Sequence, residues 1–172
     1  ELRNGWQEHT FTNLMCWAGL SQIVALQAKG FFKGLPFNGK EAMERAEKAI
    51  RAAVVDGSLR NGPQDESFNA ALLQAPILRF PDKALCEKTV RMSYEALRFS
   101  HEGAGQYFLY RYRRRDDFGI PSSAFLVCSF WWIQALTRVG LVQEARNALD
   151  KVLESSNSLG LLSEHHLPGE RK

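Results

Sequence analysis

Helical stretches almost free of charge alternate along this chain with stretches that are densely charged, and the alternation runs from end to end. The uncharged members are Thr10 to Ala28, Ser67 to Leu78 and Gly119 to Thr137. Each is followed by a charged one: Gly39 to Asp56, Asp82 to Ser100 and Leu141 to Ser156. A helix without a solvated face has to be buried on both sides, whereas a helix with one polar half can cover it from outside. Such an inner, outer order is what consecutive helical hairpins give when they stack side by side. The pattern predicts an all-α fold of two helical layers, with function at one rim of the inner layer.

Local signals sharpen the boundaries. The first helix is capped by Thr10 or Thr12 and stops at Lys29-Gly30. Asn38 caps the second, whose apolar stripe is Ala42, Met43, Ala46, Ala49, Ile50 and Ala53. Pro76 kinks or shortens the third, and Leu85, Thr89, Met92 and Leu97 point inward from the fourth, which opens at Pro81-Asp82. The fifth carries Phe125, Cys128, Trp132 and Ala135 on one face and Leu126, Phe130 and Ile133 on another, so it should be the most buried. Gln106 to Tyr112 reads as a short strand or an extended rim loop.

Composition removes several function classes. A chain of 172 residues, 45% hydrophobic and 24% charged, is long enough for one domain with a real core. A net charge of +3 is too small to imply a nucleic-acid partner. The run Tyr110-Arg111-Tyr112-Arg113-Arg114-Arg115 interleaves aromatics with cations as single-strand binders do, but it stands alone and Asp116-Asp117 neutralise it locally. No membrane partner is expected either, because Asn13, Ser21, Gln22 and Gln27 interrupt the first uncharged stretch, and Gly119, Pro121, Ser122 and Ser123 open the third. The reading is a soluble, cytoplasmic protein whose widely spaced Cys16, Cys86 and Cys128 are reduced core thiols.

Gly-rich phosphate loops, His-Glu-x-x-His and Gly-x-Ser-x-Gly are absent from the sequence, which leaves nucleotide, zinc and triad chemistry without support. His165-His166 are adjacent and project differently, with no carboxylate or Cys cluster beside them, so they read as a solvated loop pair. No metal and no cofactor is assigned. Glu1 and Glu164 lie outside helix interiors, at boundaries where a carboxyl can sit on the rim of an inner layer and have its pKa adjusted by burial. Spacing alone decides nothing here, since the chain holds 19 acidic residues.

Flanking words supply context. Glu1-Leu2-Arg3, followed by Phe11-Thr12-Asn13-Leu14-Met15-Cys16-Trp17, resembles the segment of glycoside hydrolase family 15, the glucoamylase-like and trehalase-like enzymes, that starts at the general acid. Ser122 to Trp131 and Leu159-Gly160-Leu161-Leu162-Ser163-Glu164 resemble two further blocks of that family, the second holding the general base. Ala71-Leu72-Leu73 with Pro76 matches a weaker block between them. The resemblance implies an (α/α)6 toroid of the six-hairpin glycosidase type, of which residues 1–172 form a single partial domain, the carboxy-terminal half of the catalytic domain.

It further implies an inverting, exo-acting hydrolase that releases glucose from an α-linked oligosaccharide or disaccharide. Glu1 would protonate the leaving oxygen and Glu164 would activate water, with the carboxyl groups roughly 6.5–9.5 Å apart. Arg3 would contact a sugar hydroxyl and Trp17 would wall the pocket or pack in the core. Ser21-Gln22, Asn69 and Ser122 depart from the family pattern, where Asp-Arg, Asp and Glu are frequent, so charges that bind particular hydroxyls are missing. An open half-ring exposes inner helices, which favours self-association or association with the other half. The alternatives are a helical-repeat scaffold for a protein partner and a non-hydrolytic sugar-binding protein.

Overall fold

The computed structural model describes residues 7–31, 34, 36–100, 102–116 and 119–167. Among them the hairpins are α1 (Thr10–Ala28) with α2 (Gly39–Ala52), a broken pair with α4 (Lys83–Leu97) as its charged member, and α5 (Leu126–Arg138) with α6 (Val142–Leu153). The uncharged member of the middle pair is a 3₁₀ turn over Ala70–Leu73 that runs into the single turn α3 (Gln74–Ile77). Pro76 therefore shortens this element, which is far shorter than the stretch Ser67 to Leu78 suggested. Two-residue strands complete the set, β1 (Val54–Val55) with β2 (Ser58–Leu59) and β3 (Ala124–Phe125) with β4 (His165–His166), both antiparallel.

Capping explains several boundaries. Asn38 accepts from the Glu41 N–H at 3.2 Å, and Asp82 accepts from the Leu85 N–H at 3.0 Å. At α1 the cap position belongs to His9, with no side-chain bond, and Thr10 is used differently. Its buried hydroxyl donates to the Arg60 carbonyl at 2.6 Å, and its N–H donates to the Asn61 carbonyl at 2.8 Å. Gly140, at φ 92°, makes the tight reversal from α5 to α6 that a side chain would strain.

Two apolar clusters form the core. One joins α4, α5 and α6 through Val90, Leu97, Trp132, Leu136, Ala148 and Val152, with Trp132 stacked on Tyr94 at 4.5 Å. The other joins α1, α2 and α4 through Leu14, Trp17, Ile50, Leu72, Phe80 and Leu85, and Phe68 and Val139 pack against both. Buried hydroxyls satisfy loop backbone that crosses this core: Thr89 accepts from the Leu59 N–H and Ser129 from the Leu109 N–H, each at 3.0 Å. An orphaned buried N–H costs about 1–3 kcal/mol, which makes these two side chains structural.

The burial expected of uncharged helices holds for α5 and not for α1. Seven of the thirteen α5 residues are buried, the most of any helix described. In α1 only Thr10, Leu14 and Trp17 are buried, a single stripe at helical spacing. Met15 is 49% exposed, Cys16 is exposed and Gly19 has open space at its missing Cβ, because α2, the 3₁₀ turn and α3 pack on the inward side of α1 and no described residue covers the face that carries these three. Cys16 is accordingly not a core thiol, whereas Cys86 and Cys128 are buried, and burial pushes each of their thiols up to about 12. An alkylating reagent at pH 8 should label Cys16 well before the other two, measured by peptide mass spectrometry, since thiolate is the reacting form. No helix of the described residues is long and apolar enough to cross a membrane.

Candidate functional site

The strand pair β3–β4 fixes the last stretch of described chain to the start of α5. After α6, Asn157 accepts from the N–H groups of Leu159 and Leu161, both at 3.0 Å, which folds the loop back toward the core. Leu162 packs against that core, and Glu164 follows immediately before β4. The Glu164 carbonyl accepts from the Leu126 N–H at 3.0 Å, so this residue is pinned at the amino-terminal end of α5, where the helix dipole is positive. Its neighbours hold the loop through their rings: His165 stacks on Phe125 at 5.1 Å and His166 tilts over Phe108 at 4.4 Å. The Ser123 hydroxyl lies 3.1 Å from His165 Nδ1. The histidine pair is thus a short strand rather than a loop, with His165 still exposed, as the sequence suggested, and His166 half-buried.

Glu164 lines a cleft of about 440 Å³ together with Arg111, Tyr112, Asp116, Phe125, His165 and the turn 119–123. The carboxylate-bearing side chain is exposed. Arg111 and Tyr112 bring the aromatic and cationic run to the cleft, and the run is a ladder: Arg113 lies over Tyr110 at 5.2 Å, and Arg114 over Tyr112 at 5.3 Å. The Tyr112 hydroxyl donates to Asp116. Neutralisation of the run by Asp116-Asp117, as the sequence suggests it, does not reveal that Arg111 and Tyr112 line the cleft. The alternation of Tyr and Arg was the available signal, since it puts rings and guanidinium groups within stacking reach.

The ladder reaches across to the beginning of the described chain. Arg114 pairs with Asp65 at 2.9 Å, and Asp65 accepts from Asn61 Nδ2 at 2.7 Å and from the Ser67 N–H at 2.9 Å. Asn61 in turn receives Thr10 through its carbonyl, and its amide lies 3.5 Å from His9 Nδ1. Burial raises the affinity of Asp65 for its proton, but the hydrogen bonds from Ser67 and Asn61, together with Arg114, outweigh it and hold the carboxyl below its ordinary range. A depressed folded-state pKa contributes stability above the unfolded value of about 3.9, and that stability is lost as pH falls through the folded value. The Asp65→Asn protein should therefore show a flatter decline of Tm than the parent as pH is lowered from about 4 to 2.

The sequence-predicted residues divide. Glu164 is in the cleft. Trp17 is not: it is 6% exposed in the α1–α2 core, edge-on to Phe80 at 5.1 Å, because residue 17 falls on the one stripe of α1 that packs inward. Glu1 and Arg3 lie outside the described residues. Among the positions that depart from the family pattern, Ser21 bonds the Ala18 carbonyl at 2.8 Å, Asn69 caps the 3₁₀ turn through the Ala71 N–H at 3.0 Å, and Ser122 lines the cleft.

The chain is 27% identical over 171 residues to the trehalase of Thermoplasma volcanium, covering 95% of this chain and 26% of that protein. It is 27% identical over 175 residues to the trehalase of Mycolicibacterium smegmatis, covering 98% and 25%. The trehalase of Mycobacterium tuberculosis gives 27% over 174 residues, with the same shares. The chain thus spans about a quarter of the length of these curated relatives. No family model matches it. A solved glycosidase structure, 19% identical, superposes with a TM-score of 0.72 over 95% of this chain and 43% of that one. The fold is of the α/α-toroid type.

Proposed function

We propose that the protein carrying this chain is a glycoside hydrolase that cleaves an α-glucoside with inversion, Glu164 acting as general base and Glu1 as general acid. The reading rests on one observation: Glu164 stands on the wall of an open cleft, anchored through its backbone and exposed through its carboxylate. A general base for water needs that combination, a fixed origin and a solvated tip. Inversion needs a second carboxyl across the scissile bond. Glu1 is proposed as that second group on the resemblance of Glu1-Leu2-Arg3 to the segment that starts at the family's general acid. Arg111, on the wall, is placed to donate to sugar hydroxyls, and the aromatic faces of Tyr112 and Phe125 suit the apolar faces of a pyranose.

Similarity to trehalases makes trehalose the first substrate to assay, followed by maltose and isomalto-oligosaccharides. Residues 1–172 are read as part of the catalytic domain, so the assay uses the full-length protein. Inverting hydrolysis of trehalose releases one β-glucose from the attacked ring and one α-glucose from the leaving ring, so proton NMR should record equal initial amounts of both anomers. Initial α-glucose alone would mean retention and overturn the mechanism. No glucose from any of these α-glucosides would overturn the hydrolase reading and leave a binding or scaffold role.

A further inference from the structure

At the far end of α5 from Glu164, three cations gather on a second cleft. The helix starts beside the Glu164 carbonyl and ends at Arg138, and its 13 residues span about 20 Å. There Arg79, Lys83 and Arg138 line a cleft of about 770 Å³ whose apolar wall is Pro76, Pro81 and Val139. All three cations are exposed, and none of them pairs with a carboxylate among the described residues. The acidic groups nearby are committed elsewhere. Glu87, also on the lining, pairs with Arg91 at 3.0 Å, and Asp82 accepts from the Leu85 N–H and pairs with Arg51 at 3.0 Å. Two of the cations also stand where the backbone disfavours them. Arg79 has φ 63° and follows α3, its N–H donating to the Pro76 carbonyl at 3.1 Å while the Phe80 N–H donates to the Ala75 carbonyl at 3.0 Å. That pair of bonds is the left-handed helix ending in which glycine is the usual residue, because a Cβ is strained there. Lys83 opens α4, at the positive end of a 15-residue helix, where an acidic residue would be stabilising and a cation is not.

We propose that this cleft binds a small organic phosphate monoester, its phosphate held by Arg79, Lys83 and Arg138 and its carbon skeleton lying on the wall of Pro76, Pro81 and Val139. Charge argues for phosphate. A phosphomonoester carries about −1.5 to −2 at pH 7 and offers three acceptor oxygens, whereas a carboxylate brings one charge that a single guanidinium satisfies. The planar fork of arginine suits two phosphate oxygens at once, and lysine adds a point charge. Size argues for the ester, since a cleft of about 770 Å³ lies in the range of sites for drug-sized molecules and phosphate alone would leave most of it unfilled. Such a ligand explains why Arg79 stands where glycine would be easier, because strained backbone persists where the side chain has another duty. The site is separate from the Glu164 cleft, and its occupancy does not depend on the hydrolase reading.

The test is isothermal titration calorimetry of the full-length protein with phenyl phosphate, whose ring suits the apolar wall and which is not a sugar that the Glu164 cleft could take. Phenyl phosphate should bind one to one, and its affinity should fall as sodium chloride is raised, since the attraction is ionic. Arg79→Gly and Arg138→Gln should each weaken binding by roughly 10-fold or more, the loss expected of one charge-assisted contact. Lys48→Gln, which removes the same charge from an exposed position on α2, should leave the Kd unchanged. Arg79→Gly carries a second readout in its thermal melt. Glycine relieves the left-handed backbone, so the Tm without ligand should match or exceed that of the parent, while added phenyl phosphate no longer raises it. No binding of phenyl phosphate, or equal affinity in the parent and both cleft variants, would overturn the proposal. A clear drop in the unliganded Tm of Arg79→Gly would do the same, because the side chain would then be serving the fold. Inorganic phosphate binding within about threefold of phenyl phosphate would overturn the assignment to an ester.

Discussion

Glu164→Gln should lower kcat on the α-glucoside that the full-length protein turns over by roughly 10²- to 10⁴-fold, the range for loss of a positioned general base. Glutamine keeps the length and the hydrogen-bonding capacity of the side chain but cannot accept the proton of the attacking water. KM should stay within a few fold, because the cleft wall formed by Arg111, Tyr112 and Phe125 is unchanged. Stability should be unchanged too. The structural duty of residue 164 is carried by its carbonyl, which accepts from the Leu126 N–H, and its side chain is exposed. Surface replacements of this kind stay within about 0.5 kcal/mol. Steady-state kinetics beside a thermal melt separate the outcomes. A kcat within threefold of the parent at an unchanged Tm would remove Glu164 from the mechanism, and a collapse of Tm would show that the side chain serves the fold.

The two-layer helical order was legible because it depends on charge placement, which each helix displays on its own surface. Thr10–Ala28 matches the uncharged stretch at both ends, and Asn38 and Asp82 cap as their residue types dictate. Local periodicity could not reveal what tertiary partners decide. Thr10, a good cap by type, is spent on the Arg60 carbonyl, since the loop after β2 passes beside it. Trp17 is apolar and lies near the start of an inner helix, but only the angular position of residue 17 on α1 settles that it faces the core. Similarly, Arg114 and Asp65 are 49 positions apart, and nothing in either local window announces their pair. Glu164 is singled out by the resemblance of the words around it, whereas Tyr112 and Asp116, which line the same cleft, come from a loop whose cations and rings look like ordinary surface until the chain folds.

Gly62→Ala should be the most disruptive single-methyl change along the amino-terminal approach. A Cβ at this position would lie 2.2 Å from the Glu8 carbonyl oxygen, a backbone atom that cannot swing aside. Neither partner can relax cheaply. Gly62 is held by its paired hydrogen bonds to Asp65, and the chain after Glu8 is held by the Thr10 N–H on the Asn61 carbonyl. Overpacking of this kind costs about 1–3 kcal/mol, or several degrees of Tm in a chain of this size. The strain should be relieved by pushing the Glu8 backbone away from the loop. That movement disturbs Thr10, whose N–H and hydroxyl bind the loop at Asn61 and Arg60, and with it the links from Asn61 through Asp65 and Arg114 to Tyr112 on the cleft wall. Activity should then fall by more than stability alone predicts, with roughly 10-fold or greater loss in kcat at temperatures well below the melt. The comparison that decides the point is kcat at 25 °C against Tm for Gly62→Ala beside Asp65→Asn. If both variants lose rate in the same proportion while differing in Tm, the approach of residues 7–10 governs the chemistry. If Gly62→Ala retains wild-type kcat below its melt, the amino-terminal approach does not set the geometry of the site.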